Sequence, residues 1–460
     1  MIDKNEIPKS WEIIKVSEAG ELLRGVNYKK ENSSSQSQEN YLPVLRANNI
    51  QNGELNFEDL VFVSKKYVAA KQLVKKGDIV FAMSSGSKHL VGKSAKAKEN
   101  FNGSFGAFCA VFRPNEYFNK DFVACFFQSP YYKKLISAIA KGTNINNLKR
   151  EHILDLDFPV PPSKEQERIF SKLEELFSDL DKGIESLEKA QKQLKVYRQA
   201  VLKWAFEGRL TNEKIVDGEL PIGWIKSNLG MLKEFSLYGP RFSSQDYSET
   251  GVAILRTTDI SENGKVDWVN APKLNLTEPE YQKYKLIKDD LLITRTGSIG
   301  TASIFNDDKR AIAGAFLIYY RLKKPFNIQF IFHFIKSHTA QKHFKKFSSG
   351  VGRPNLNVPN IELLEIPIPP LDKQNEIVKE IESRLSVCDK IEETIENSLL
   401  QAEALRLSII KKAFEGKLVK QNPKDEPATK LLERMRAEKK KNEMEKKTKL
   451  KLEKVYDGNF

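Results

Sequence analysis

The chain is written twice. Gly142, Asn147, Leu148 and Ile153 recur as Gly350, Asn355, Leu356 and Ile361, each 208 residues further on. The same offset carries Pro159-Val160-Pro161-Pro162 onto Pro367-Ile368-Pro369-Pro370, Gln166 onto Gln374, and Ala205-Phe206-Glu207-Gly208 onto Ala413-Phe414-Glu415-Gly416. Earlier in each copy the match persists while the offset drifts. Pro8-Lys9-Ser10-Trp11 returns as Pro221-Ile222-Gly223-Trp224 at 213, and Leu45-Arg46 as Leu255-Arg256 at 210. Such a repeat constrains the fold more than any local propensity, because both copies must form the same supersecondary unit. A fixed offset in the last part of each copy marks a segment that resists insertion and deletion.

That segment is helical in pattern. After the first double proline, Ile169, Leu173, Leu176, Leu180, Ile184, Leu187, Leu194, Tyr197 and Val201 recur at spacings of three, four or seven, with Glu and Lys between them. Ile377, Ile381, Leu385, Cys388, Ile391, Ile395, Leu399 and Leu405 repeat the pattern in the second copy. Pro162 and Pro370 suit the helix entrances, and Gly208 and Gly416 the exits. Ser163 to Phe206 would make a helix roughly 66 Å long at 1.5 Å per residue. A helix of ordinary length with such a stripe packs on its own domain. This length, equal in both copies, favours two helices packed on each other. The first carries the chain from one copy to the other and the second carries it back, so they should run antiparallel as a strut between two domains.

The segments before each helix read as strands. Leu42 to Leu45, Val61 to Val63, Asp78 to Ala82, Ala107 to Phe112 and Leu156 to Val160 are short β-branched or aromatic runs bounded by Gly, Asn, Ser and Lys. Phe118 to Ala140 is helical in pattern. The expected fold class is therefore α+β: two strand-rich domains related by a pseudo-two-fold axis and joined by two long antiparallel coiled-coil helices. The boundaries fall at 1–160, a helical spacer at 161–217, 218–368, a second spacer at 369–420, and 421–460 as a charged tail holding Lys439-Lys440-Lys441 and Lys446-Lys447.

Charge now becomes informative. With 75 Lys+Arg against 61 Asp+Glu, the chain of 460 residues carries a formal net charge of +14, which points to a polyanionic partner. Its longest apolar run, Ala311 to Tyr320, is half of the roughly 20 residues that a membrane-spanning helix needs. The first residues lack the basic stretch and apolar core of a secretory signal, and a cytoplasmic location is expected. Cys109, Cys125 and Cys388 are too widely spaced for a C-x-x-C pair and read as reduced thiols in the core.

No catalytic constellation stands out in the sequence. Ser87-Lys88-His89-Leu90-Val91-Gly92-Lys93-Ser94 resembles a phosphate-binding loop, but Ser stands where Gly is needed, and the matching Gly297-Ser298-Ile299-Gly300-Thr301-Ala302-Ser303 has no lysine. Phe101 to Gly106 is a common glycine pattern, and no Asn-Pro-Pro-Tyr or Asp-Pro-Pro-Tyr occurs to grip an extruded adenine. His333, His338 and His343, spaced by five, lie about 140° apart around a helix, which is poor metal geometry. The expectation is a non-catalytic chain that itself binds no cofactor and no metal.

The set as a whole resembles the specificity subunit of type I restriction-modification systems. Each copy is opened by P-x-x-W, closed by P-x-P-P, and followed by a Gln-bearing helix ending in A-F-E-G-[KR]-L. The resemblance spans residues 7 to 418 and rests above all on Pro-Pro-Ser-Lys-Glu-Gln-Glu-Arg-Ile (161–169) and Ala-Phe-Glu-Gly-Arg-Leu (205–210). In the second copy Asp-Lys-Gln (372–374) departs slightly from the family's usual Glu-Gln. The resemblance implies two target-recognition domains, each reading one half of an asymmetric bipartite site in double-stranded DNA. It implies helices that set the unread gap and dock two modification subunits, which carry S-adenosylmethionine and adenine-N6 methyl transfer. Restriction subunits using ATP and Mg would join them. Phe206, Gly208, Phe414 and Gly416, at the helix ends, are then the expected subunit contacts.

Base reading needs paired donors and acceptors, Arg or Lys for guanine and Asn or Gln for adenine. Three loops recur with that composition. The first holds Arg46, Asn48 and Asn49, matched by Arg256, Thr257 and Thr258. The second holds Ser84, Ser85, Ser87, Lys88 and Lys93, matched by Arg295, Thr296 and Ser298. The third holds Thr143, Asn144, Asn146 and Asn147, matched by Arg353, Asn355 and Asn357. Any single residue of this kind serves as readily to cap a turn. Two rival readings remain open at this point: a self-contained DNA methyltransferase or nuclease with its own recognition domains, and a coiled-coil adaptor that binds only protein.

Overall fold

A computed structural model describes residues 7–51, 53–84, 91–142, 147–211, 219–348 and 355–456. The chain forms two compact units, Met1–Glu185 with Ser398–Phe460, and Ser186–Asn397. Each unit therefore holds a strand-rich body and about half of both long helices.

The two bodies share one topology. In the first unit, strands Gly20–Arg24, Cys109–Pro114, Ile79–Ala82 and Ser94–Lys96 lie in that order in an antiparallel sheet. In the second unit, Lys233–Tyr238, Leu317–Leu322, Asp290–Thr294 and Ala302–Phe305 repeat the order. A second four-stranded sheet, in the order Ser104–Phe105, Tyr41–Leu45, Val61–Ser64, Ser33–Ser34, is matched by Ala311–Ala313, Val252–Leu255, Lys273–Leu274, Tyr247–Ser248. Its parallel pairing of Ser104–Phe105 with Val44–Leu45 recurs as Ala311–Ala313 with Ala253–Leu255. The expected strand Ala107 to Phe112 begins at Cys109, because residues 107 and 108 form a turn.

One buried ion pair pins each antiparallel sheet. Arg113 reaches both carboxylate oxygens of Asp78 at 2.8 and 2.7 Å, and Arg321 reaches those of Asp290 at the same distances. This fork geometry suits an enclosed carboxylate, because both lone-pair directions are met. A short strand closes each body: Glu12–Lys15 pairs with Asp157–Val160, and Ile225–Asn228 with Glu365–Ile368.

The long helices span Ser163–Phe206 and Leu371–Phe414, 44 residues each. Both end on a glycine in the left-handed region, Gly208 at φ 78° and Gly416 at φ 67°. The following N–H then folds back on the last turn, from Arg209 to the Trp204 carbonyl and from Lys417 to that of Lys412. The helices are antiparallel within each unit. In the first, Arg406 bonds Asp181 and lies 4.6 Å over the Phe177 ring. In the second, Arg198 pairs with Asp389 and Glu392 at 2.6 and 2.9 Å. The apolar stripe is only partly covered: Ile169, Leu173, Leu194, Val201, Ile377, Ile381, Cys388 and Ile395 are buried, while Tyr197, Ile391 and Leu405 are exposed. A straight helix drifts against a seven-residue repeat, so a stripe chosen by spacing alone wanders off the contact face.

The segment from 421, expected as a charged tail, forms a helix at Ala428–Tyr456. Its first turns are buried in the first unit through Ala428, Leu431, Leu432 and Met435, which join the core around Trp11, Phe118 and Phe122. No helix among the described residues is long and apolar enough to cross a membrane.

Candidate nucleic-acid interface

The reading loops issue from one end of these sheets, and backbone bonds tie them together. In the first unit, Ser84 of the second loop bridges Asn147 of the third, and Leu148 N–H donates to the Met83 carbonyl at 2.7 Å. In the second unit, Thr296 bridges Asn355, and Leu356 N–H donates to Arg295 at 2.9 Å. Loops distant in sequence thus become one surface.

The first loop corrects one assignment. Asn49 is 1% exposed, and its amide is spent inside the loop. Its Oδ1 accepts from Arg46 N–H at 2.8 Å, and its Nδ2 donates to the Asn56 and Glu58 carbonyls at 2.9 and 2.8 Å. A buried amide so satisfied builds the turn and cannot read a base. Asn48, beside it, is exposed. In the second unit buried Asp259 takes the same place. It accepts Arg256 N–H at 2.8 Å and clasps that guanidinium at 3.0 and 2.7 Å, which raises the Arg256 pKa. Thr257 is half-buried and Thr258 exposed. The neutral Asn49 offers Arg46 no such clasp. Arg46 donates to the Asp59 carbonyl at 2.6 Å, and its buried Nε has no partner among the described residues.

Arg295 is the best-braced cation of the second loop. Its guanidinium lies 4.6 Å over the Tyr238 ring, and Nε donates to Asn355 Oδ1 at 3.0 Å. Aromatic stacking and one fixed bond orient the fork while the residue stays half-exposed. Thr296 is half-buried; Ser298, Lys93 and Asn147 are exposed. Asn357 is partly committed, its Oδ1 capping helix Val358–Glu362 through Asn360 N–H at 2.9 Å. Ser85, Ser87, Lys88, Thr143, Asn144, Asn146 and Arg353 lie outside the described residues. In the second unit the loops enclose a cleft of about 430 Å³, lined among others by Arg241, Arg256, Thr258, Thr296 and Phe316. Arg241 and Phe316 were not among the sequence candidates. For Phe316 a signal existed: Gly106-Ala107-Phe108 recurs as Gly314-Ala315-Phe316, again at 208.

The helix-end assignments are also corrected. Phe206 is buried against Phe330 and Phe334, ring centroids 5.2 and 4.9 Å away, and Phe414 against Phe122 and Phe126 at 4.8 and 5.6 Å. Gly208 is buried, and a Cβ on Gly416 would lie 2.3 Å from Pro8 Cγ. The A-F-E-G motif is an internal fastening: the end of helix Ser163–Phe206 packs on the body of the second unit, and the end of Leu371–Phe414 on the body of the first. No group of His, Cys, Asp and Glu among the described residues could hold a metal ion.

Repeated bodies with cationic and amide-bearing loops at one end, joined by long helices, define a repeated DNA-recognition protein. Residues 8–190 and 248–401 match the family described as type I restriction modification DNA specificity domain. The chain is 35% identical over 452 residues to the type I restriction enzyme StySPI specificity subunit of Salmonella potsdam, covering 95% of this chain and 97% of that protein. It is 36% identical to the EcoKI specificity subunit of Escherichia coli (strain K12), covering 94% and 96%. Among solved structures, a chain from work on complex assembly and conformational transition of the type I R-M system aligns with TM-score 0.70 at 18% identity, covering 90% and 99%. The HsdS subunit from Thermoanaerobacter tengcongensis aligns with TM-score 0.53 at 17% identity, covering 90% and 98%. The chain belongs to the family of type I restriction-modification DNA specificity subunits.

Proposed function

We propose that each unit reads one half of an asymmetric bipartite site in double-stranded DNA. One observation carries this reading: the described parts of the three loops stand on the same scaffold in both units with different side chains. Identical scaffolds present the groove edge alike, and different donors and acceptors select different bases. The net charge of +14 serves the phosphates, giving affinity and salt dependence without sequence information.

The long helices fix the unread gap and dock two modification subunits, which supply S-adenosylmethionine and the adenine-N6 transfer. Restriction subunits with ATP and Mg complete the complex. The chain itself transfers no group, holds no cofactor and works in the cytoplasm. Docking falls on the exposed apolar side chains of the helices, such as Val196 and Trp204 in the second unit and Leu400 and Leu405 in the first, because burying them on a partner removes apolar area from water.

Mapping N6-methyladenine across a host genome with and without this chain tests the reading. A bipartite motif should vanish with the chain, and Arg295→Ala should change one half of the motif while leaving assembly intact. An unchanged methylation pattern refutes it. Purified chain that methylates DNA with S-adenosylmethionine alone would instead establish the self-contained methyltransferase.

A further inference from the structure

We propose that Phe108 and Phe316 are base-contacting residues, each an apolar ring that its unit sets against the bases of one half-site between the polar reading loops. The proposal rests on the reading of both units as DNA readers and adds a class of contact that the polar loops do not make.

Scattered exposed apolar residues are ordinary on a protein surface. These two are not scattered. Phe108 is 70% exposed and Phe316 48%, and they occupy the same place in the repeat. Phe57, also exposed, packs its ring on Phe101 at 5.1 Å, whereas Phe108 and Phe316 have no aromatic partner among the described residues.

Their mounting is the same in both units. Gly106 N–H donates to the Leu45 carbonyl at 2.9 Å, and Gly314 N–H to that of Leu255 at 2.8 Å. Those carbonyls belong to the residues just before Arg46 and Arg256. Cys109 N–H returns to Gly106 at 2.8 Å, and Leu317 N–H to Gly314 at 2.9 Å, which closes each turn. The phenylalanine carbonyls then accept from the second loop: Phe108 from Met83 and Ser84 at 2.9 and 3.2 Å, Phe316 from Arg295 at 3.0 Å. Backbone also presses directly on each turn. A Cβ on Gly25 would lie 2.0 Å from the Gly106 carbonyl oxygen, and one on Gly239 2.0 Å from that of Ala313. Each ring is therefore held on a short turn, bonded at both ends, between the first and second loops.

An apolar ring beside cations and hydroxyls suits nucleic acid more than a protein core. It packs on a thymine methyl in the major groove or wedges between base steps, and both contacts require the base itself. Polar loops read donors and acceptors; the ring senses methyl groups and stacking.

The test uses the complex of this chain with its modification subunits and a duplex carrying the motif mapped for the wild type. Phe316→Ser should weaken binding to that duplex roughly tenfold or more at fixed salt, with a much smaller loss on a scrambled duplex, and Phe316→Leu should recover part of it. Phe108→Ser should do the same through the other half-site. Replacing thymine by deoxyuridine in one half-site should weaken the wild type and not the Ser variant if the methyl is the contact. A wild-type-only rise in 2-aminopurine fluorescence marks a wedge. Wild-type affinity and methylation rate in both Ser variants overturn the proposal. So does loss of co-purifying modification subunits with unchanged affinity in what assembles, which would make these rings protein contacts. A wild-type complex that prefers no duplex would refute the DNA-reading assignment instead.

Discussion

Gln166 Oε1 accepts the backbone N–H of Asn119 at 3.0 Å, while its Nε2 donates to the Pro161 carbonyl at 3.0 Å. Asn119 in turn caps helix Lys120–Phe126 through Asp121 and Phe122 N–H. The second unit repeats the clamp, Gln374 holding Asn327 N–H and the Pro369 carbonyl, both at 2.9 Å. One buried amide thus locks the first turn of each long helix to the body before it. The fixed offset of 208 has a physical reason in this clamp and in the phenylalanine fastening at the other helix end.

Replacing Gln166 or Gln374 by Ala should destabilise its unit by about 1–3 kcal/mol, since the partners lose their bonds in a buried place. Urea unfolding followed by circular dichroism measures the shift. An unchanged midpoint in both variants would show the clamp to be dispensable.

The C-terminal segment should matter to the fold only up to the end of its docked turns. Gln421 donates to Glu165 Oε1 at 2.6 Å, where Trp11 Nε1 also donates at 3.1 Å, and Arg168 pairs with Asp425 at 2.5 Å. Arg436 reaches Glu18 at 2.7 Å. Truncation after residue 420 removes the buried Leu431, Leu432 and Met435 and should cost the first unit roughly 5 kcal/mol. Truncation after residue 438 should leave the unfolding curve as it is. The second copy places Lys373 and Glu376 where Glu165 and Arg168 stand, so it offers this segment no equivalent charge pattern.

Burial separates two kinds of apolar residue on the long helices. Phe414→Ala and Phe206→Ala should each cost about 3–5 kcal/mol of stability, as aromatic-to-alanine changes in a core do. Leu400→Asp, on an exposed face, should change stability by less than about 0.5 kcal/mol and reduce the amount of modification subunit that co-purifies. Equal capture by Leu400→Asp and wild type would move docking elsewhere.

His333 should make the second unit acid-sensitive. It is buried in helix Ile328–Ile335, neither ring nitrogen has a partner among the described residues, and burial lowers its pKa from 6.5 to about 4. Between those pH values the unfolded chain takes up a proton that the folded one refuses. Stability is therefore full above pH 6.5 and falls as pH drops towards 4, by roughly 3 kcal/mol over the window. His333→Leu should flatten that part of the stability–pH curve. An identical slope in variant and wild type would exclude His333 as its source.

The sequence by itself determined the duplication, the 44-residue helices, their antiparallel course and the family, because periodicity and repeat offsets are properties of the chain's order. It also placed three loops of suitable chemistry in each copy. It could not say which members face outward. Asn49 and Asn48 are adjacent and alike in composition, yet one is consumed by the Asn56 and Glu58 carbonyls and the other is exposed. Phe206 and Phe414 read as helix-end contacts for partners, and packing turned them inward; Phe108 read as strand, and a two-residue turn left it in solvent, as it left Phe316. Burial and hydrogen-bond partnership arise from segments far apart in sequence, so only the tertiary structure could assign them.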